Sequence, residues 1–569
     1  MDVKRLILVI PLAVLAYLLV VQWNQDYGQS AEPSAAVEST RENTSAGDNT
    51  PPDSDAENGS LSVPSKTTSA NSGDNQSLAD DTDANENEGR DFIAVTTDVL
   101  DVRIDPHGGD IVYAALPQHK QALETGRNYV LLSDNSVRSY VARSGLQLDG
   151  EASRIAFTPE STEYHLGEGQ DKLDVDLTAE VNGVAITKRL SFERGDYAVN
   201  VRYMVDNQGD KPVSARFIGQ LVRDDSPDPT SGSGVRMRSF LGAAYSTPEN
   251  RYEKVDFEDI QADSVENREA EGGWVAIIQH YFTSAWAPPQ NQQNLFYATT
   301  DSKDRNVAAF AGPTRDVGAD DTSTLSATLY MGPKVQDYLE EVAPNLRLTV
   351  DYGWLWFIAN PLFWLLNKIH SVIGNWGWSI VLLTVLVKAA LFPLSAKAYR
   401  SMGRMRKLGP EMKRLKERYS DDRQKMSQEM MKFYQKEKIN PLGGCLPIVV
   451  QMPVFIALYW MLLESVELRH APFMFWIQDL SIKDPYFILP ILMGTSMFVQ
   501  QQLNPTPPDP MQAKIMKMLP IIFTFFFLWF PAGLVIYWVV NNCISITQQY
   551  FITRQIENDP NIGKGKETR

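Results

Sequence analysis

The chain has 569 residues, 43% of them apolar, and a formal net charge of −17; this is too long for one ordinary domain. Two cysteines and six histidines, with no CxxC, HExxH or phosphate-binding glycine loop, exclude a disulfide framework, a recognisable metal centre and a visible nucleotide site, so no cofactor is expected. The charge is unevenly split: residues 353–569 carry 24 Lys and Arg against 14 Asp and Glu, a balance of +10, which leaves −27 for residues 1–352.

Residues 1–23 open with the charged Asp2–Arg5, continue as the apolar Leu6–Val21 and close on Trp23. They read as a signal peptide or, the favoured reading, a retained signal anchor, and either places the residues after it on the exported side. Residues 24–90 are rich in Ser, Thr, Asn, Asp, Glu, Gly and Pro. Such a stretch buries too little apolar surface to offset ordering entropy, and a disordered acidic linker is expected. Residues 91–345 change character. Val99–Ile104, Leu173–Leu177, Ala185–Phe192 and Ala198–Val205 alternate with period two, separated by turn signals such as Asn182-Gly183 and Asn207–Asp210. This pattern predicts a large antiparallel β-sandwich. Within it, Gly272–Phe282 stands out, and His280 is a candidate polar group for a carbohydrate or catalytic site. Beside Tyr281 and Phe282, a satisfied core histidine is the stronger reading.

Residues 351–370 hold Trp354, Trp356, Phe357, Phe363 and Trp364 around a break at Asn360-Pro361, which favours a helix lying in the membrane interface. The apolar run 376–395 is long enough to cross a membrane and contains Thr384 and Lys388 at i, i+4. An intramembrane charge costs at least about 2.5–3.5 kcal/mol by insertion scales. Lys388 is about 13 Å from Lys397 along the helix, too far for easy snorkelling. A polar, water-accessible groove open to the cytoplasm resolves the cost; a lysine paired with Gln or Asn as helix glue is the blander alternative.

Residues 396–438 carry 14 Lys and Arg against 6 acidic residues, the strongest positive-inside signal in the chain. Two helices are expected, with a break or kink at Gly409-Pro410 and a turn at Ser420–Asp422 where Asp421 and Gln424 resemble a capping box. Arg404, Arg406, Lys413 and Arg414 supply charge, and Met426, Met430 and Phe433 supply an adaptable apolar face. Further spans are expected at 443–463, 486–502, 518–531 and 533–552, the last two divided at Phe530–Gly533, with 553–569 as a cytoplasmic tail. Pro447, Gln451 and Pro453 fall in one span, where freed backbone groups need partners. The last span carries Tyr537, Asn541, Ser545 and Gln548, one polar stripe. Lys388, Thr384, Gln451 and this stripe are the candidate groove.

Asn440–Cys445, Gln451–Pro453, Ser465–Arg469, Leu489–Gly494, Asp509–Met511 and Leu528–Leu534 together resemble the YidC/Oxa family of membrane protein insertases, and Gly272-Gly-Trp274 resembles the periplasmic domain of its Gram-negative branch. The resemblance covers nearly the whole chain apart from the linker. It implies a multi-pass inner-membrane protein: an N-terminal anchor, a five-helix α-helical core, an all-β periplasmic supersandwich and a cytoplasmic hairpin, with both termini cytoplasmic. It implies no enzyme activity. The implied partners are nascent membrane proteins, the Sec translocon with its accessory subunits, the ribosome and membrane lipids, with no specific nucleic acid; a monomer is compatible with this. Cys445, Pro447, Pro453, Trp529 and Pro531 become client-contacting or helix-kinking positions. The family usually places Arg where this chain has Lys388, which keeps the charge and loses the planar five-donor fork. A solute transporter or channel using the same stripe would show inverted repeats and paired broken helices, and five spans show neither. An exported sugar enzyme would need paired carboxylates at a cleft.

Overall fold

A computed structural model describes residues 92–558 except 153, 231–238, 264, 420–421, 437–445 and 505–509. The expected anchor and linker, Asp421, Cys445 and the end of the tail lie outside the described residues.

The β-rich region before the helices is two large sheets packed face to face. One runs from Arg268–Glu271 through Gln293–Thr300, Asn306–Ala311, Val213–Arg223, Ser139–Leu148, Asn128–Asp134, Asp110–Lys120, Asp101–Asp105 and Ile93–Thr96 to Glu163–His165. The other runs from Glu253–Val255 through Gly242–Ser246, Trp274–Ile278, Phe282–Ala287, Asp321–Pro333, Ala198–Asn207, Val184–Glu193 and Lys172–Val181 to Thr158–Pro159. Pairing is antiparallel except between Ile93–Thr96 and Glu163–His165. Local turn chemistry sets the hairpins: Asn182 and Gly183 both have positive φ, 53° and 80°, which matches the right-handed twist of the strands they join. Alternate residues of each strand turn inward, and the core includes Trp274, Trp286, Tyr203 and Phe217. Gly273 is required where it stands, since a Cβ there would meet the Ser246 carbonyl oxygen at 2.3 Å. Helices α1 (Phe257–Gln261) and α2 (Gln336–Val342) are short additions to this β-domain.

The helical region contains α3 (Trp356–Ile373), α4 (Trp376–Ala390), α5 (Phe392–Lys407), α6 (Gly409–Arg418), α7 (Arg423–Lys436), α8 (Leu446–Glu464), α9 (Ile488–Leu503), α10 (Pro510–Phe526) and α11 (Ala532–Glu557). Three expectations need correction. The helix α3 runs through Pro361 instead of breaking there; near its amino end the proline removes one intrahelical bond and the remaining turns persist. The stretch 376–395 is not one straight helix: it stops at Ala390 and resumes at Phe392 after a 67° bend, with Pro393 in the first turn of α5. In the basic hairpin the first helix breaks where expected, α5 ending before Leu408 and α6 starting at Gly409. The hairpin's second turn is capped by Asp422, whose carboxylate accepts from the Gln424 and Lys425 amides at 3.1 and 3.0 Å. The loop expected before the fourth core helix is partly helical, since α10 begins at Pro510.

Among the described residues no single helix is both long and apolar enough to cross a membrane, while α4 and α5 together pass by length and composition. The division at Phe530–Gly533 is real: α10 ends in a 3₁₀ turn, Phe527–Trp529, and α11 starts at Ala532. The loop 465–487 pins it, since Ala532 N donates to Ile482 O at 2.7 Å and Gly533 N to Leu480 O at 3.0 Å.

The β-domain is bolted to the end of α8. Lys334 and Glu464 form a buried ion pair at 3.0 Å, and Ser239 Oγ donates to the same carboxylate. The ring of His280 meets Leu463 O at 3.0 Å and stacks on Tyr281. Burial holds His280 below its usual pKa. This is the satisfied structural histidine expected from its neighbours. Arg469 lies 5.6 Å from the ring centroids of both Tyr129 and Phe282 and donates to Gln121 O at 2.8 Å.

Candidate functional site

The helix α4 begins at Asn375, whose side chain accepts from Trp378 N and donates to the carbonyls of Pro472 and Phe473 at 3.2 Å each. Gly377 lets Phe473 sit against the helix, since a Cβ there would meet that ring at 2.1 Å. These contacts set the rotation of α4. Its inward face is Ile380, Thr384 and Lys388 at successive i, i+4 positions, so Lys388 falls in the last turn, just before the 67° bend.

The opposite wall is α11. Lys388 Nζ donates to Ser545 Oγ at 2.9 Å, and that hydroxyl donates to Asn541 O at 2.7 Å. Tyr399, from α5, also lies against Ser545. Two turns toward the start of α11, Gln451 Nε2 donates to the Tyr537 hydroxyl at 2.8 Å. The polar wall therefore has two tiers, Gln451–Tyr537 and Lys388–Ser545, about 12 Å apart along the helix. Lys388 is 6% exposed, and among the described residues it forms no ion pair. The buried Asn541 Oδ1 and Gln548 Oε1 have no hydrogen-bond partner.

Of the expected groove residues, Lys388, Ser545 and Asn541 come together at one tier, and Gln451 and Tyr537 at the other. Thr384 faces inward, with its hydroxyl donating to Ile380 O at 2.7 Å; it has acceptor capacity left and no free proton. Gln548 is only half-buried, whereas its neighbour Gln549 is fully buried and donates to Asn504 Oδ1 at 2.8 Å. Asn542 likewise donates to Ser496 Oγ at 3.0 Å. Sequence reasoning misses this second stripe, Asn542 and Gln549 at i, i+7, which fastens α11 to α9; the spacing is the available signal. Pro447 and Pro453 lie within α8. Trp529 stands in the 3₁₀ turn with its ring against Phe525, and Pro531 bridges to Lys483. In the hairpin, Arg404, Arg406, Lys413 and Arg414 are exposed, and Met426, Met430 and Phe433 are half-buried. Arg406 pairs with Glu557 at 3.6 Å and Lys413 with Glu417 at 4.0 Å.

A family model described as the YidC periplasmic domain matches residues 92–365, and one described as the 60Kd inner membrane protein matches residues 368–559. A membrane protein insertase YidC of Stutzerimonas stutzeri (strain A1501) is 54% identical over 98% of this chain and 99% of its own length. The chain belongs to the YidC family of membrane protein insertases. The corresponding insertase of Pseudomonas entomophila (strain L48) is 52% identical over 98% of this chain and 99% of its own. A solved structure described as an active YidC insertase with the first transmembrane domain resolved covers 81% of this chain and 93% of its own, at 17% identity and a TM-score of 0.38. The family is one of insertases and not of enzymes, seated in the inner membrane with a periplasmic domain. The β-domain and the helical core are the two parts that the resemblance implied.

Proposed function

We propose that this insertase receives the polar segment of a nascent membrane protein at the two-tiered polar wall of α4, α8 and α11, with Lys388 as the attracting charge. The observation that carries the reading is unused polar capacity. Lys388 has three donors and uses one on Ser545, while Asn541 Oδ1 and Gln548 Oε1, one turn to either side of Ser545 on α11, are buried without partners. A buried charge and buried amides demand hydrogen bonds, and a hydrated client segment supplies them. The brevity of α4 supports the same reading: 15 residues rise about 22 Å, less than a core of about 30 Å, so the bend leaves Lys388 toward the cytoplasmic side.

The client's polar or acidic segment enters from the cytoplasm and is drawn to Lys388, where Gln451, Asn541 and Ser545 replace part of its hydration. Its apolar helix then leaves into lipid, and the partition of apolar surface drives the step. The membrane potential adds about 2.3 kcal/mol per negative charge moved outward per 100 mV. The basic helices α5–α7 face the cytoplasm, as their charge requires. They form the docking surface for nascent chain, ribosome and lipid headgroups, with both termini on the same side. Cooperation with the Sec translocon belongs to this reading. Site-specific crosslinking from positions 388, 451 and 541 to a stalled nascent membrane protein tests it. Crosslinks from all three are expected, and client contact only from the lipid-facing surface would overturn the groove.

A further inference from the structure

The two sheets of the β-domain enclose one polar group that the insertase reading leaves unused. Arg138 and Tyr140 stand at the start of the strand Ser139–Leu148, and Arg223 ends the strand Val213–Arg223. Gln279 and Ser284 flank the turn that joins Trp274–Ile278 to Phe282–Ala287. Strand register brings two of them together: Arg223 is the cross-strand partner of Tyr140, and its guanidinium lies 5.4 Å from that ring. Tyr140 in turn faces Ser284 on the opposite sheet. Gln279 accepts from the Tyr129 hydroxyl at 3.3 Å, and Arg138 donates to the neighbouring Val130 O at 2.8 Å. Arg223, Tyr140, Gln279 and Ser284 are 0% exposed and Arg138 is 8% exposed.

What these groups lack is an acceptor. Arg223 Nη2 donates to Ser226 O at 2.8 Å, but Arg223 Nε and Nη1, Arg138 Nη1 and Gln279 Nε2 have no acceptor, and the Tyr140 and Ser284 hydroxyls face only each other. Among the described residues neither guanidinium is in an ion pair. The carboxylate whose field reaches them is Asp228, which accepts from His280 N at 2.7 Å and Thr230 N at 2.8 Å. Two desolvated cations and four obligate N–H donors are thus gathered with an excess of positive charge. A water accepts from at most two of these nitrogens and adds two hydrogens of its own, whereas an anion brings acceptors alone and offsets one desolvated charge.

We propose that this enclosure is a binding site for one small monovalent anion, of halide or one-carbon carboxylate size, held by Arg138, Arg223 and Gln279 with the Tyr140 and Ser284 hydroxyls turned to donate. Complete burial sets the size limit. An anion that binds only the folded domain raises its stability with the logarithm of concentration.

The test is thermal unfolding of the purified full-length chain in detergent, with bromide or formate replacing gluconate at constant ionic strength and sulfate as the large divalent control. Bromide, formate or both are expected to raise Tm by about 5 °C across a hundredfold range, with sulfate matching gluconate; which of the two acts distinguishes halide from carboxylate. The rise is expected to vanish in Arg223→Gln. If that variant does not fold, Gln279→Leu and Ser284→Ala, which keep both guanidiniums, are expected to weaken it. No rise in the parent chain with either anion, or an equal rise in parent and variants, overturns the site; where bromide raises Tm, an anomalous map of bromide-soaked crystals with no peak between Arg138 and Arg223 overturns it as well.

Discussion

Lys188 in the β-domain and Lys388 in the helical core are both buried, and they are held in different ways. Lys188 donates to Gly108 O, Gly109 O and Ser144 O at 2.9, 2.7 and 3.3 Å, so all three of its donors are used. Gly109 makes this possible: it sits at φ 64°, and a Cβ there would lie 2.8 Å from Lys188 Cδ. Burial pushes the Lys188 ammonium down to about 7, with Asp110 pulling it back up. Lys388 has a single hydroxyl acceptor, from the facing helix. A saturated cation ties two sheets together; an unsaturated one has capacity left for a guest. The joint between the regions holds a third form, Lys334 paired with Glu464 at 3.0 Å.

The joint should give the largest effect. Glu464→Ala leaves Lys334 buried without its carboxylate and is expected to destabilise the full-length chain by about 3–5 kcal/mol in denaturant unfolding. A Glu464→Leu, Lys334→Met double variant should recover most of that loss. Next is Lys188→Met, which orphans three carbonyls and is expected to cost roughly 2–3 kcal/mol, with insertion per folded molecule unchanged.

Lys388→Ala should behave in the opposite way. Insertion of clients with acidic translocated tails is expected to fall about tenfold, the equivalent of ~1.4 kcal/mol, with Lys388→Arg near the parent chain and Tm little changed. A Tm drop as large as that of Lys188→Met, with insertion intact, would make Lys388 a strut like Lys188. The smallest effect concerns Glu467, just past α8, whose carboxyl is raised to about 7 by burial. Between the ordinary carboxylate range and pH 7 the folded chain holds a proton that the unfolded chain has lost, so this contribution to stability is full at low pH and is lost as pH rises through 7. Glu467→Gln should flatten that dependence and raise Tm at pH 8 by about 2–4 °C.

Much of this is legible without coordinates because it rests on chemistry spread over a few residues. Asn182-Gly183 specifies a hairpin by its own backbone freedom. Phe530-Pro531 ends one helix and starts another because proline cannot continue the ladder. The stripe Tyr537, Asn541, Ser545 comes from helical spacing alone. The bend at Leu391 escapes sequence reasoning even though Pro393 marks it, because the apolar run continues across it. The stripe Asn542 and Gln549 escapes it because residues one step around the same helix face a different neighbour, and spacing does not name the neighbour.

From the sequence alone came the division into an exported acidic β-domain and a basic helical core, the family, and the oddity of a cation inside an apolar helix. These are sums over local composition and period, which every chain carries without folding. Only the tertiary structure decided that Lys388 meets Ser545, that Lys334 meets Glu464 across 130 residues, and that Arg223 lies over the Tyr140 ring. Partners are chosen by strand order, helix rotation and the bend after α4. Each of these is settled by packing the whole chain against itself, and none is encoded within reach of a single side chain.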